Sequence, residues 1–212
     1  GIYNKAYPGT RPLKSFSLPM ILCNLSLIME EILGTEQVNK TIEPLIKEVM
    51  EVFYHEESGL ILENVTPEGH FSDSFEGRLL NPGHTNESMW FMMDLAVRKN
   101  DRQLIDRCIE ILLRSTKKGW DSKHGGIFYF LDIKGHPTQQ LEWDQKLWWV
   151  HIETLISMAK GYRLTGNQEC KNWFETIHEY TWNHFKDPEY PEWFGYLNRQ
   201  GEPLLELKGG KW

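Results

Sequence analysis

The 212 residues predict an all-α fold with short β-hairpins, organised as repeated helix-pair units. Three observations lead there. Long stretches carry apolar residues at helical spacing, as in Leu104, Ile105, Cys108, Ile109, Leu112 and Leu113, which fall at i, i+3/i+4 and i+7/i+8 and make one apolar face. Short β-prone segments stand between these stretches, each followed by a turn glycine. Those glycines, Gly69, Gly135 and Gly201, recur at intervals of 66 residues, and an interval that holds two helices and a hairpin marks a repeated supersecondary unit.

Taken in order, residues 17–33 form the first helix, with Pro19 close to its start, where a missing N–H is tolerated. Residues 37–54 form the second. A hairpin segment follows at 59–64, closed by Gly69. The next unit has helices at 84–99 and 102–118 and a hairpin at 126–132. The third has helices at 144–164 and 168–185, stopped by Asp187-Pro188, and a hairpin at 193–198. Two of the three turns read Gly-His, at Gly69-His70 and Gly135-His136. Such pairs either stack as an open solenoid or close as an α/α toroid, where the hairpin loops gather around a central pit. A closed ring takes about six pairs and this chain supplies about three. The expectation is one domain over residues 1–212 that amounts to half a toroid. Both ends look cut, because Gly1 is not a methionine and Trp212 stands where another helix is due.

Composition removes several function classes. With 23 basic and 30 acidic side chains the net charge is −7, which argues against a phosphate-tracking nucleic-acid binder. No apolar run reaches about 18 residues, so no membrane span is expected. A basic start followed by an apolar stretch is also missing, so no secretory signal is read. Three scattered cysteines (Cys23, Cys108, Cys170) make neither a disulfide framework nor a CxxC pair, which fits a cytoplasmic protein. Nine Trp, eight Tyr and ten Phe suit stacking on sugars or bases, though a thick aromatic core is the commoner explanation. There is no Walker A loop, no GxGxxG after a strand, no HExxH and no GxSxG. His84-x-x-Glu87 offers two metal ligands where a site needs three or four, so no metal is assigned.

Two helix starts carry the candidate chemistry. In Asn81-Pro-Gly-His84 the proline and glycine turn the chain and place His84 near a helix N-terminus. His84, Glu87 and Trp90 follow at i, i+3 and i+6, so a base, a carboxylate and a flat aromatic ring fan over one side of two turns. The helix start is expected to depress the imidazole pKa and favour the neutral, proton-accepting form. The alternative is a capping histidine with a capping glutamate. One repeat later, Trp149 and Glu153 share a face at i, i+4, and Glu153 stands 66 residues after Glu87. A carboxylate among Trp, Val, Ile and Leu is costly unless it is paired or used. His151 lies about 200° around the helix from Trp149 and Glu153 and is read as structural. The other histidines fall on loops or outer helices.

These residues also carry a resemblance. Asn81-Pro-Gly-His84, Gly125-Gly-Ile-Phe-Tyr-Phe130, Gln140-Leu-Glu-Trp143, Lys146-Leu-Trp-Trp149 with Glu153, Asp187-Pro-Glu-Tyr190 and Glu192-Trp-Phe-Gly-Tyr196 together resemble the N-acylglucosamine 2-epimerase family, also called renin-binding protein. The match runs in order from about Arg11 to Lys211. It implies an (α/α)6 barrel that interconverts N-acetylglucosamine and N-acetylmannosamine by proton removal and return at C2 of the open-chain sugar. It further implies a homodimer, no required cofactor, and a nucleotide (ATP) as allosteric activator. Carried over, His84 is one of two catalytic histidines and Glu153 an essential carboxylate, with Glu87, Trp90 and Trp149 binding the sugar. The second histidine is expected a few residues beyond Trp212, and an essential arginine in an N-terminal half, so these 212 residues alone are expected to be inactive. The rivals are a cellobiose 2-epimerase or an aldose–ketose isomerase on the same fold. Further off are a glycoside hydrolase using Glu87 and Glu153, and a non-catalytic partner-binding protein.

Overall fold

A computed structural model describes residues 12–204. Seven helices dominate those residues: α1 (Ser17–Ile28), α2 (Glu30–Leu33), α3 (Thr35–Lys47), α4 (Pro82–Lys99), α5 (Arg102–Gly119), α6 (Trp148–Thr165) and α7 (Gln168–His184). Eight two-residue strands join them: β1 (Lys14–Ser15), β2 (Tyr54–His55), β3 (Leu60–Ile61), β4 (Asn64–Val65), β5 (Leu79–Leu80), β6 (Leu131–Asp132), β7 (Lys146–Leu147) and β8 (Tyr196–Leu197). Helices α1, α4 and α6 pack side by side, and α3, α5 and α7 pack behind them in a second row. Among the described residues no helix is long and apolar enough to cross a membrane.

The repeat is written into the hydrogen bonds. Three antiparallel strand pairs share one register: Lys14 opposes Val65, Leu80 opposes Leu131, and Lys146 opposes Leu197, each pair 66 residues beyond the last on both strands. The turns repeat as well. Gly69 N–H donates to Thr66 C=O, Gly135 to Asp132 and Gly201 to Asn198, at 2.8, 3.0 and 3.0 Å. Residues with positive φ end α2, α4 and α6 at Gly34 (φ 80°), Asn100 (φ 56°) and Gly166 (φ 72°), the last two in the left-handed helical conformation. At these positions a positive φ lets the terminal carbonyls find partners before the chain turns back.

Several boundaries differ from the expected ones. The helix expected over 17–33 divides at Met29, which leaves helical geometry at ψ −4°. The helix expected over 37–54 begins earlier, accommodates Pro44, passes into a π-helical turn at Glu48–Val52, and ends before Tyr54 joins a strand. The third-unit inner helix starts at Trp148 instead of residue 144, because Lys146 and Leu147 pair with β8. The first hairpin segment closes locally, with β3 pairing back on β2, and the other two make single antiparallel bridges, Trp120 to Ile127 and Lys186 to Trp193. In addition β4, β6 and β8 pair with the strands that lead into α1, α4 and α6, and so lock each helix start in place.

The main core lies between the two rows, around Phe16, Met20, Val38, Ile42, Val49, Phe53, Met89, Met92, Cys108 and Leu112. The six apolar residues that predicted α5 as amphipathic are all buried. Helix α4 is buried almost all round. In its first four turns only His84, Glu87, Trp90 and Asp94 reach solvent, at spacings of three, three and four, which is one narrow stripe.

Candidate active site

The stripe on α4 faces a matching stripe on α6, and the two meet in rungs. His84 lies against the Trp149 indole, with ring centroids 5.4 Å apart and planes inclined by 33°. Further along, Trp90 Nε1–H donates to Glu153 Oε2 at 2.7 Å. Beyond that, Asp94 pairs with Lys160, whose ammonium lies 4.9 Å over the Trp90 ring. The five residues singled out from the sequence, His84, Glu87, Trp90, Trp149 and Glu153, are therefore gathered at one place.

Local chemistry explains why His84 is held at the head of α4. Asn81 caps the helix, its side-chain oxygen accepting from His84 N–H at 3.1 Å, and Pro82 fills the first turn. Gly83 is required by close approach, since a Cβ there would stand 2.8 Å from the Trp149 ring. Just before the helix, β5 is fixed by β6, so strand and helix start move as one piece.

The sequence reading missed Glu63, which lies between β3 and β4. His84 Nδ1 is 3.0 Å from both Glu63 carboxylate oxygens. The peptide of Glu63 is clamped on both sides: its N–H donates to Leu79 C=O and its C=O accepts from Phe16 N–H, each at 2.9 Å. Tyr129, also missed, stands one repeat after Glu63 and meets Trp149 edge-on at 6.1 Å. The available signal was this repeat position alone, in segments that read as hairpin strands.

Charge at the site corrects one expectation. The helix start does not depress the His84 pKa. Burial opposes the imidazolium, but the adjacent Glu63 carboxylate, and Glu87 behind it, outweigh burial and raise the pKa above its ordinary value. A helix terminus carries about half a unit charge, less than a whole carboxylate at hydrogen-bond distance. Glu87 is pushed up to about 7 by burial and by the Glu153 charge, with His84 pulling the other way. Glu153 is also raised by burial, partly offset by the Trp90 bond. His151 is buried and structural: its Nδ1 bonds Leu147 C=O at 2.7 Å, its Nε2 accepts from Ile127 N–H at 3.0 Å, and burial pushes it down to about 3. No group of three or more His, Cys, Asp or Glu among the described residues is placed to hold a metal ion.

Comparison with known proteins supplies the family. Residues 2–212 match the model of the N-acylglucosamine 2-epimerase (GlcNAc 2-epimerase) family. The chain belongs to this family. It is 38% identical over 221 residues to the N-acylglucosamine 2-epimerase of Rattus norvegicus, covering 99% of this chain and 51% of the rat protein. The chain spans about half the length of the curated relatives it matches. Among solved structures it superposes on a D-mannose isomerase with a TM-score of 0.77 at 19% identity, covering 91% of this chain and 51% of that one. The cellobiose 2-epimerase from Bacillus thermoamylovorans B4167 gives 0.75 at 19% identity, over 89% and 47%. These likenesses show the fold, a helical barrel of which this family member carries the paired helices described above.

Proposed function

We propose that the whole protein is a carbohydrate 2-epimerase acting on N-acylglucosamine, with His84 as one of its proton-transfer groups. The observation that carries the reading is the stripe on α4. A partly exposed imidazole on the otherwise buried first turns of α4 has one nitrogen bonded to a carboxylate, and carboxyl groups and indoles of α4 and α6 surround it. Nδ1 is occupied by Glu63, so Nε2 is the nitrogen open to a substrate. Trp90 and Trp149 give flat apolar faces against which a sugar can lie.

The chemistry follows from the acidity of the carbon. Only the ring-opened aldehyde makes the C2–H bond labile. Nε2 takes that proton, the bonding electrons pass into an enediolate, and an acid on the opposite face returns a proton to give the other epimer. Glu153, oriented by the Trp90 bond, and Glu87, near half-protonated at neutral pH, hold the hydroxyl groups near that charge. The second histidine and the arginine implied by family membership lie outside these 212 residues in this reading. Family membership also supports a cytoplasmic homodimer that needs no cofactor and is activated by ATP.

A second reading, aldose–ketose isomerisation, has the D-mannose isomerase likeness in its favour. It differs only in which carbon receives the proton. Incubating the whole protein with N-acetylglucosamine, mannose or cellobiose in deuterated water, with and without ATP, separates the two. Epimerisation places deuterium at C2 of an aldose, and isomerisation places it at C1 of a ketose. If no sugar carbon acquires deuterium while the protein remains folded, both readings fail.

A further inference from the structure

The α4 imidazole has a partner that lies 21 residues upstream on a different element. We propose that Glu63 is a positioning residue for His84: its carboxylate accepts the Nδ1–H bond, fixes the imidazole in the tautomer with hydrogen on Nδ1, and so presents Nε2 as the nitrogen that exchanges a proton with the sugar carbon. This rests on the proton-transfer reading above.

The geometry specifies the tautomer. A carboxylate only accepts, and both of its oxygens stand 3.0 Å from Nδ1, so the hydrogen belongs on that nitrogen. Among the described residues the Glu63 carboxylate makes hydrogen bonds to His84 alone. Its position is set by main chain, because the Glu63 peptide is bonded on one side to Leu79 and on the other to Phe16. A carboxylate fixed by two backbone bonds holds an imidazole more sharply than one on a mobile loop. The ring is confined on its flank by Trp149, which Tyr129 braces edge-on. The titratable groups facing this ring are Glu63 from the β3–β4 link and Glu87 one turn along α4, with Glu153 of α6 and Tyr129 behind them.

During proton removal the C2–H bond breaks and its electron pair stays with the sugar as the enediolate. The proton goes to Nε2, and the Nδ1 hydrogen remains where it was. The imidazolium so formed is opposed at hydrogen-bond distance by the Glu63 charge, which stabilises it as it appears.

Nitrogen-15 NMR and kinetics of the whole protein, labelled at histidine, test the proposal. These 212 residues contribute eight histidines, and His84→Asn identifies the relevant signal by its loss. Wild type is expected to show neutral His84 protonated at Nδ1. Glu63→Gln keeps an acceptor oxygen but removes the charge, so the His84 titration midpoint should fall by about one pH unit. Glu63→Leu should scramble the tautomer and lower kcat about 10- to 100-fold with KM within about threefold, and Glu63→Gln should fall between. The acid limb of kcat/KM should move with the NMR midpoint. A titration and tautomer unmoved by Glu63→Gln overturn the proposal, and so does a moved titration with unchanged kcat. If Glu63→Leu fails to fold, the near-isosteric Gln variant decides. An inactive wild type sinks the functional reading and the catalytic use of Glu63 with it, whereas an active wild type with an unmoved titration sinks the role of Glu63 alone.

Discussion

At Glu87, burial and the Glu153 charge oppose ionisation while His84 favours it, and the carboxyl group titrates at about 7 in the fold. Its ordinary value is 4.5. Between those pH values the folded protein keeps a proton that the unfolded chain has released. The group's contribution is therefore fully present below pH 4.5 and is lost as pH rises through 7. Discounted for partial exposure, the cost at pH 8 is on the order of 2 kcal/mol. Glu87→Gln cannot ionise, so it should raise Tm by about 5 °C at pH 8 and leave it unchanged at pH 4, read by thermal melts at the two pH values. An equal gain at both would show that the charge is not the cause. The residues readable from sequence were those set by helix periodicity: His84, Glu87, Trp90, Trp149 and Glu153 share stripes because 3.6-residue spacing puts them there. Glu63 was not readable, since a two-residue strand pairing, with no periodic signature of its own, brings it to His84.

Element boundaries show the same division. Helix interiors followed from apolar spacing, while the start of α6 was misplaced because Lys146 looked like a helical residue. In the structure Lys146 belongs to β7 and is buried, its Nζ 3.2 Å from Asp121 Oδ2 and 3.7 Å over the Phe128 ring. Arg199, from the turn after β8, reaches the same carboxylate oxygen at 3.0 Å. The other Asp121 oxygen accepts from Lys123 and His124 N–H. Burial pushes the Lys146 ammonium down to about 8. For Asp121, burial is outweighed by the Lys123 backbone bond and by Arg199 and Lys146, which hold it at about 2. One aspartate thus ties the end of α5, the start of α6 and the β8 turn together. Asp121→Ala leaves a buried ammonium without its carboxylate partner and should cost about 3–5 kcal/mol. Lys146→Met should cost less, because Asp121 keeps Arg199 and both backbone donors. The Asp121→Ala deficit should also narrow as pH rises through 8, because without Asp121 to support its charge Lys146 sheds its proton at lower pH in the variant than in the wild type, whereas a pure packing defect would be flat with pH. Urea denaturation at pH 7 and pH 9 measures both differences.

Over the whole molecule, one backbone frame is used three times with different side chains. The strand registers, glycine turns and helix ends recur at 66 residues, and this was legible because turn glycines resist substitution where φ is positive. What the frame presents is not repeated. The α4 positions of His84, Glu87 and Asp94 are occupied by Val150, Glu153 and Lys160 on α6, and by Leu18, Ile21 and Ile28 on α1. Polar chemistry is therefore concentrated on α4 and α6. Helix α1 offers an apolar stripe of Leu18, Ile21, Leu25 and Ile28, continued by Ile32 of α2, all exposed and with Ile28 at 63%. A patch of that kind invites association and dye binding. Since the frame accepts acids at the same two places on α4, the double substitution Ile21→Glu with Ile28→Asp should leave Tm within about 2 °C, as exposed positions usually allow. It should also lower anilinonaphthalene sulfonate fluorescence and the tendency of these 212 residues to self-associate, followed by light scattering. A fall in Tm of about 10 °C or more would mean that these side chains pack against something, and the α1 stripe would then be a structural surface instead of an open one.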